Sequence, residues 1–517
     1  MQTPSRIVLF SALCLMVLVF IACRDGTPAT SQQAPAKSRT PVTASTNKAA
    51  AQPTAPNIVL IVVDALRADR LGAKRNNVPV TPRLERLAKQ SVWFTRAVSP
   101  CSWTKPAMAS ILTSRYVDAH RVFYAADGQD DAITTDVLPD TLPSAATYLK
   151  NAGYTTACVQ TNGNLSADLG FDQGFDRFVF ENNADADWTT DRAIEHLQAL
   201  TPPFFLYVHY MDPHAPYSPP EPYRSMFGTL APLTLAEQKA VANSLDYLVD
   251  QAYAFLGLRD KRHFDELSPQ GRETLRVFYD AECRFMDTEL ARLLDVIWST
   301  TERTLVVATG DHGEEFWEHG SMGHGQTMYH EQIAVPLLFH GPGLEPRTIA
   351  FPVETLHILP TAAAYAGLDA DPFWQGHDLF APEALAPPAV FSNTYATLPR
   401  TGIHAEMVLE DTVKLIVNHI EGEDELYNLA VDPLEQDNLA PSRPETVNRL
   451  RNLLDEHRKN NIRHGASGAP RITPDLPESL LEQLRALGYL PSNAASPDKN
   501  PLDPETRERL KSLGYLH

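Results

Sequence analysis

The sequence predicts an α/β fold, a mainly parallel sheet sandwiched by helices, with a small antiparallel subdomain near the C-terminus. Three observations predict it. Asn57-Ile-Val-Leu-Ile-Val-Val-Asp64 is a continuous apolar run, the pattern of a strand buried on both faces. Similar runs recur at 156–160, 204–209, 304–309 and 335–339. Helical patterns alternate with them, as strand–helix–strand units require. In such sheets chemistry gathers at the carboxyl ends of strands, and Asp64, His209 and Asp311 each fall at or just after one.

The other elements follow in order. Thr81-Pro-Arg-Leu84-Glu-Arg-Leu87-Ala88 opens with a capping Thr and a first-turn Pro, which starts a helix. Met286, Leu290, Leu293, Leu294 and Ile297 form a stripe at helical spacing. Residues 213–224 are Pro-rich and read as a loop, and 225–275 as a helical insertion. Farther on, 406–409 and 412–417, split by Glu410-Asp411, read as a hairpin. The expected divisions are a leader (1–23), a tether (24–55) rich in Thr, Ala, Pro, Ser and Gln, a main domain (56–380), the antiparallel subdomain (381–460) and a tail (461–517). The tail carries the near repeat Leu481-Glu-Gln-Leu-Arg-Ala-Leu-Gly-Tyr-Leu490 and Arg507-Glu-Arg-Leu-Lys-Ser-Leu-Gly-Tyr-Leu516, each read as a short docking helix stopped by Gly.

The formal charge of -20 over 517 residues argues against a nucleic-acid partner. An anionic substrate would then need a locally positive site, such as a metal ion. Arg6 precedes the uncharged apolar run 7–22, short for a spanning helix and suited to a signal peptide. It ends Val19-Phe20-Ile21-Ala22-Cys23, which resembles a bacterial lipoprotein cleavage box, although Phe20 stands where Leu is usual. Cys23 then becomes the lipidated N-terminus, and the protein is held by its lipid anchor in the bacterial cell envelope, facing the periplasm or exterior. The alternative is an uncleaved membrane anchor. Cys101, Cys158 and Cys283 remain; they make no disulfide framework or zinc ribbon, and at most one bridge.

Asp64 alone reads as a cap for a helix starting at Ala65. Set beside Asp311-His312-Gly313-Glu314, which also follows an apolar strand, it reads as part of a divalent-metal site. The segments 57–64 and 81–88, Ala109-Ser-Ile-Leu-Thr-Ser-Arg115, His209-Tyr-Met-Asp-Pro-His214, Gly310-Asp-His-Gly-Glu314 and Glu425-Leu-Tyr-Asn-Leu-Ala430 occur in order. This ordered set resembles the sulfatase family of the alkaline phosphatase superfamily, over roughly residues 56 to 440. The resemblance implies an alkaline-phosphatase-like fold and a metal-dependent hydrolase of anionic esters.

Three departures from the family pattern bear on function. Sulfatases of the standard type carry Cys or Ser, any residue, Pro, any residue, Arg, and oxidise the first to formylglycine. Aligning on Ala109-Ser-Ile-Leu-Thr puts Pro106 on the Pro, Met108 on the Arg and Thr104 on the nucleophile, with Cys101 three residues early. Thr oxidation would yield a ketone, so Thr104 itself is the expected nucleophile; its plainer reading, a helix N-cap, is compatible with that role. Second, Asp64 is followed by Ala65 where the family has a second Asp. The remaining set of Asp64, Thr104, Asp311 and His312 leans to zinc or manganese, with calcium as the alternative. Third, His324 in Gly323-His-Gly325 stands where sulfatases commonly carry Lys. It is a candidate acid, or with His214, Asp212 and His120 a candidate for a second metal or for substrate contact. Lys105 and Arg67 read as surface ion pairs, and Glu314, Glu315, Glu318, His319 and His330 as loop and surface residues.

The expected chemistry is in-line attack by Thr104 on a sulfate ester, a phosphate mono- or diester, or a phosphonate ester, with His324 or His214 as acid. A Thr ester has no second hydroxyl with which to eliminate sulfate, so a second displacement is needed, which favours phosphorus. The substrate is expected to be a small-molecule, glycan or lipid anionic ester. Phosphoethanolamine-transferase-like phosphoryl transfer is one alternative. Another is an inactive relative binding an envelope glycan.

Overall fold

The computed structural model describes residues 55–123, 136–228, 230–244, 267–381, 389–395, 403–419 and 422–464. The leader with Cys23, the tether up to residue 54 and both tail repeats lie outside the described residues, as does part of the 225–275 insertion. Among the described residues no helix is long and apolar enough to cross a membrane.

The central sheet comprises β1 (Asn57–Val63), β2 (Val92–Val98), β3 (Thr155–Gln160), β4 (Arg177–Phe180), β5 (Phe204–Tyr210), β6 (Thr304–Gly310), β7 (Ala334–His340) and β8 (Arg347–Ile349). Their order is β8-β2-β7-β6-β1-β5-β3-β4, with Val353–Glu354 also pairing β2. β1 lies at the centre, and every residue of it is buried. Its alternate residues serve two cores: Ile58, Leu60 and Val62 face one, Val59, Ile61 and Val63 the other. That two-sided burial explains the unbroken apolar run.

β7 runs antiparallel to both β6 and β2. A strand buried on both faces is apolar whichever way it points, so its direction was not legible in the sequence. β2 also escaped the sequence reading, because half-buried Trp93, Thr95 and Arg96 interrupt its apolar pattern.

The helices that matter for the site are α1 (Pro82–Lys89), α2 (Thr104–Thr113), α3 (Ala186–Ala199), α4 (Pro269–Thr300) and α5 (Pro444–His464). The predicted stripe on α4 is buried from Met286 to Ile297. Thr81 precedes α1 as expected but does not cap it; its hydroxyl donates to the Arg70 carbonyl. The cap comes from α4 instead, where the Asp287 carboxylate accepts from the amides of Arg83 and Leu84 at 2.9 and 2.8 Å.

The C-terminal sheet is antiparallel and ordered β9 (Val390–Tyr395), β10 (Ile403–Glu410), β11 (Val413–Asn418), β12 (Asp424–Asn428). The predicted hairpin is β10–β11, closing with Glu410 opposite Val413. Val447, Leu450 and Leu454 of α5 cover one face of this sheet. Cys101, Cys158 and Cys283 are all buried free thiols, so none of the three forms a disulfide.

Candidate active site and metal centre

Parallel registration builds the site. Val63 of β1 pairs Gly310 of β6 on one side and Tyr210 of β5 on the other, so Asp64 and Asp311 leave neighbouring strand ends together. His209 pairs Val62 and Gln160, which brings the end of β3 alongside. No helix starts at Ala65, so Asp64 does not cap one: the next turn is Ala68–Arg70, entered from Arg67. Ala65 is left-handed (φ 55°), a conformation that costs a non-glycine residue on the order of 1 kcal/mol. Its amide donates to Asp311 Oδ1 at 3.2 Å, and its carbonyl accepts from Tyr279 at 2.7 Å.

Thr104 opens α2, a helix buried along its whole length, so the positive end of the helix dipole faces the carboxylates. Its hydroxyl lies 3.5 Å from each oxygen of Asp64 and 3.1 Å from His312 Nε2. His312 Nε2 is also 3.3 Å from Asp64 Oδ1 and 3.5 Å from Asp311 Oδ2. One donor atom each from Asp64, Asp311 and His312 falls within a 4.8 Å cluster. Asp311 Oδ2 is buried and accepts no hydrogen bond. Two buried carboxylates with an orphaned oxygen facing an imidazole and a hydroxyl fit a divalent cation. The sequence-predicted set of Asp64, Thr104, Asp311 and His312 is therefore brought together.

Two residues complete the set that sequence reading did not assign. Asn162, just after β3, accepts the Asn164 amide on Oδ1, which leaves Nδ2 to donate to Asp64 Oδ2 at 2.6 Å. His209 Nε2 reaches the same oxygen at 3.1 Å, while its Nδ1 is 2.8 Å from the Tyr207 hydroxyl. Burial opposes the charge on Asp64, but His214, His209 and His312 hold its carboxyl well below the usual carboxylate range. Burial and the neighbouring Asp64 charge push Asp311 up. Burial disfavours the charged form of His312, yet Asp311 and Asp64 raise it to about 9.

His214 and His324 stand beside this cluster. Their rings are 5.0 Å apart, and His324 lies 4.2 Å from the ring of His312. His214 Nδ1 donates to the Ala215 carbonyl at 2.6 Å, leaving a buried Nε2 without a partner. Burial lowers its pKa, with Asp64 opposing. His324 sits between Gly323 and Gly325, both at positive φ (105° and 85°), a turn that glycines allow. Its Nδ1 lies 3.0 Å from Glu314 Oε1, whose other oxygen accepts from Tyr217 at 2.9 Å. Burial works against the Glu314 charge, but His324, His214 and His312 keep its pKa low.

Other expectations meet a different arrangement. Glu314 and Glu315 are buried, as are Lys105 and Arg67, so none is a surface residue. Short apolar-poor segments read as surface unless a buried partner is known, and those partners are distant in sequence. Arg67 donates to the Glu314 carbonyl and pairs with Asp69 and Glu318. Burial lowers the Lys105 amine to about 7, with Asp136 opposing. Met108 packs in the core rather than supplying a cation. His120 offers no free nitrogen: Nδ1 accepts from the Val122 amide and Nε2 meets Ser110 Oγ, both at 2.9 Å. Asp212 turns towards Glu282 of α4, and with no N–H or hydroxyl donor at Asp212 Oδ2 or Glu282 Oε2 the two carboxyls are joined by a shared proton. His120 and Asp212 are thus engaged away from the His214–His324 pair.

A family model described as Sulfatase matches residues 56–368. The chain is 24% identical to the uncharacterized sulfatase YidJ of Escherichia coli K12, over 74% of this chain and 83% of that protein. It superposes on the structure of BT1596, a 2-O GAG sulfatase, with a TM-score of 0.62 at 20% identity, covering 79% of this chain and 92% of that one. The phosphonate monoester hydrolase of Agrobacterium radiobacter gives a TM-score of 0.61 at 21% identity, covering 78% and 96%.

Proposed function

The chain belongs to the sulfatase family and is an ester-hydrolysing enzyme, and on that premise we propose that it cleaves an anionic ester through the hydroxyl of Thr104. One observation carries this reading: Thr104 Oγ1 lies 3.1 Å from His312 Nε2 and 3.5 Å from both oxygens of Asp64, at the start of a buried helix.

Asp64, Asp311, His312 and Thr104 would hold one divalent ion. Two carboxylates, an imidazole and a hydroxyl are too few oxygens for a calcium cage and favour zinc or manganese. When bound, the ion lowers the pKa of a hydroxyl and polarises an ester oxygen. Asn162 and His209 orient Asp64. Thr104 Oγ1 loses its proton, which the unpartnered His214 Nε2 is the nitrogen free to take up, and attacks the central atom. A bond forms between that atom and Oγ1, and the bond to the leaving oxygen breaks. His324, oriented by Glu314, protonates that oxygen. Water then attacks the same atom and gives a proton to His324; the bond to Oγ1 breaks, and Thr104 Oγ1 takes its proton back from His214.

The nucleophile bears on the substrate. A Thr ester can be resolved only by a second displacement, which suits phosphate and phosphonate esters better than sulfate. The solved relatives include one named for each chemistry, at nearly equal TM-scores, so fold similarity does not choose. A sulfated small molecule or glycan is the second reading, favoured by the family. Lipid attachment at Cys23 would place the enzyme in the cell envelope, a reading supported by the apolar run ending at that residue.

The test is turnover of nitrophenyl sulfate, phosphate monoester, phosphodiester and phosphonate monoester by protein loaded with zinc, manganese or calcium. Turnover of a phosphorus ester that disappears in Thr104→Ala supports the proposal. Thr104-dependent turnover of the sulfate alone would overturn the phosphorus preference. Absence of both turnover and stoichiometric metal would favour an inactive binding protein.

A further inference from the structure

The segment carrying His324 rests on the C-terminal sheet at several points. Thr394 of β9, fully buried, donates from Oγ1 to the Gly325 carbonyl at 3.0 Å, one residue from His324. Glu435, in the loop after β12, accepts the His330 amide on Oε2 at 2.7 Å. The Glu435 carbonyl lies 3.1 Å from His319 Nε2. Its other carboxylate oxygen pairs with Lys414 of β11 at 2.6 Å, and both side chains are almost wholly buried. The ring of His319 stacks on Tyr329 at 3.5 Å, and the Tyr329 hydroxyl donates to Glu425 of β12 at 2.7 Å.

On its other side the turn pairs with the segment after β6, Gly323 opposite Glu315, and Glu314 holds the His324 ring, so the C-terminal contacts complete a two-sided grip. Glycines at 323 and 325 hold the backbone at positive φ on either side of His324, so the position of its ring depends on what grips the two flanks. A buried ion pair is a weak source of net stability, and a geometric role accounts better for its presence here. We propose that Glu435, held by Lys414, and Thr394 are positioning residues: the C-terminal sheet sets the location of His324 relative to Thr104. This rests on the reading of His324 as the group that protonates the leaving oxygen.

Leaving-group dependence tests it. A misplaced acid matters little for a nitrophenyl ester, whose leaving group needs no proton, and much for the ethyl ester of the same acid. Two variants loosen the grip without stranding a buried charge: Thr394→Val, and Glu435→Leu combined with Lys414→Met. Each is expected to lower kcat/KM, which ends at departure of the leaving group, about tenfold or more for the ethyl ester while the nitrophenyl ester loses less than about threefold. The thermal midpoint should change little. Equal losses on both esters, or no loss in either variant, would overturn the proposal. Should the double variant fail to fold, Thr394→Val decides alone. His324→Ala separates the two ideas. If it shows the selective loss and the grip variants do not, the positioning proposal fails by itself. If His324→Ala lowers kcat/KM for both esters equally, the acid assignment fails and takes the proposal with it.

Discussion

Thr104 Oγ1 and His312 Nε2 stand 3.1 Å apart across a sequence separation of 208 residues. The hydroxyl comes from the first residue of a buried helix and the imidazole from the loop after β6. Neither has freedom to drift, because α2 is buried throughout and His312 Nδ1 donates to the Gly313 carbonyl at 2.8 Å. Gly313 itself is required there: a Cβ would fall 2.0 Å from the Glu331 carbonyl oxygen. The pair is thus placed before any ligand arrives, which is what a preorganised nucleophile needs.

Removing the nucleophile gives the sharpest expectation. Thr104→Ala should lower kcat by about a thousandfold or more, and Thr104→Ser should restore much of it. Steady-state kinetics on the active panel ester, with thermal melts to confirm folding, provide the check. A Thr104→Ala enzyme with near-normal kcat would rule out the covalent route.

Asn162 predicts a metal-affinity effect without being a metal ligand. Its amide nitrogen fixes Asp64 Oδ2, so Asn162→Ala should weaken divalent-ion binding by about 10–100-fold. Isothermal titration of the metal-free protein reads this directly. An unchanged dissociation constant would show that Asp64 needs no such anchor.

His312 should withdraw stability from the metal-free protein as pH rises. Burial disfavours the charged His312 ring, but Asp311 and Asp64 raise its pKa to about 9. The folded state therefore keeps a proton that the unfolded chain releases near its ordinary value. That stabilisation is complete below about pH 6.5 and disappears as pH climbs to about 9, on the order of 3 kcal/mol. Metal binding must displace the same proton, so apparent affinity should strengthen through this window. Denaturant melts at pH 6 and 9.5, with and without metal, test both signs. A metal-free His312→Ala protein whose stability changed with pH as much as the parent's would refute the expectation.

The facing carboxyls of Asp212 and Glu282 also carry a pH signature. Burial and then Asp185 raise Asp212 to about 7; burial and then Asp212 raise Glu282 to about 10. Both acids hold protons more tightly folded than unfolded. Their contribution is complete in acid and is lost as pH rises through about 7 and then about 10. Glu282→Gln keeps an oxygen for the Ser218 amide, which Glu282 Oε1 now accepts at 2.7 Å, and adds a donor for Asp212 Oδ2. It should therefore raise the thermal midpoint at pH 9 relative to the parent, with little gain at pH 5. Calorimetry at both pH values would show otherwise if the two melts moved together.

Some of this protein was legible in one dimension. Strands buried on both faces declare themselves as apolar runs, so β1, β3, β5, β6 and β7 could be read off the chain, and with them the carboxylates at the ends of β1 and β6. Asp64, Asp311, His312 and Thr104 were found because strand ends and a helix start are local features, and because their order resembled a known set. What only the tertiary structure decided is everything that depends on a partner far away in sequence. The direction of β7, the Asp287 cap on α1, and the anchoring of Asp64 by Asn162 and His209 are of this kind. So is the burial of Glu314 against Tyr217. Apolar burial is proportional to area and leaves a periodic trace in sequence. A hydrogen bond joins two atoms whose meeting depends on the path of the whole chain, and it leaves no such trace.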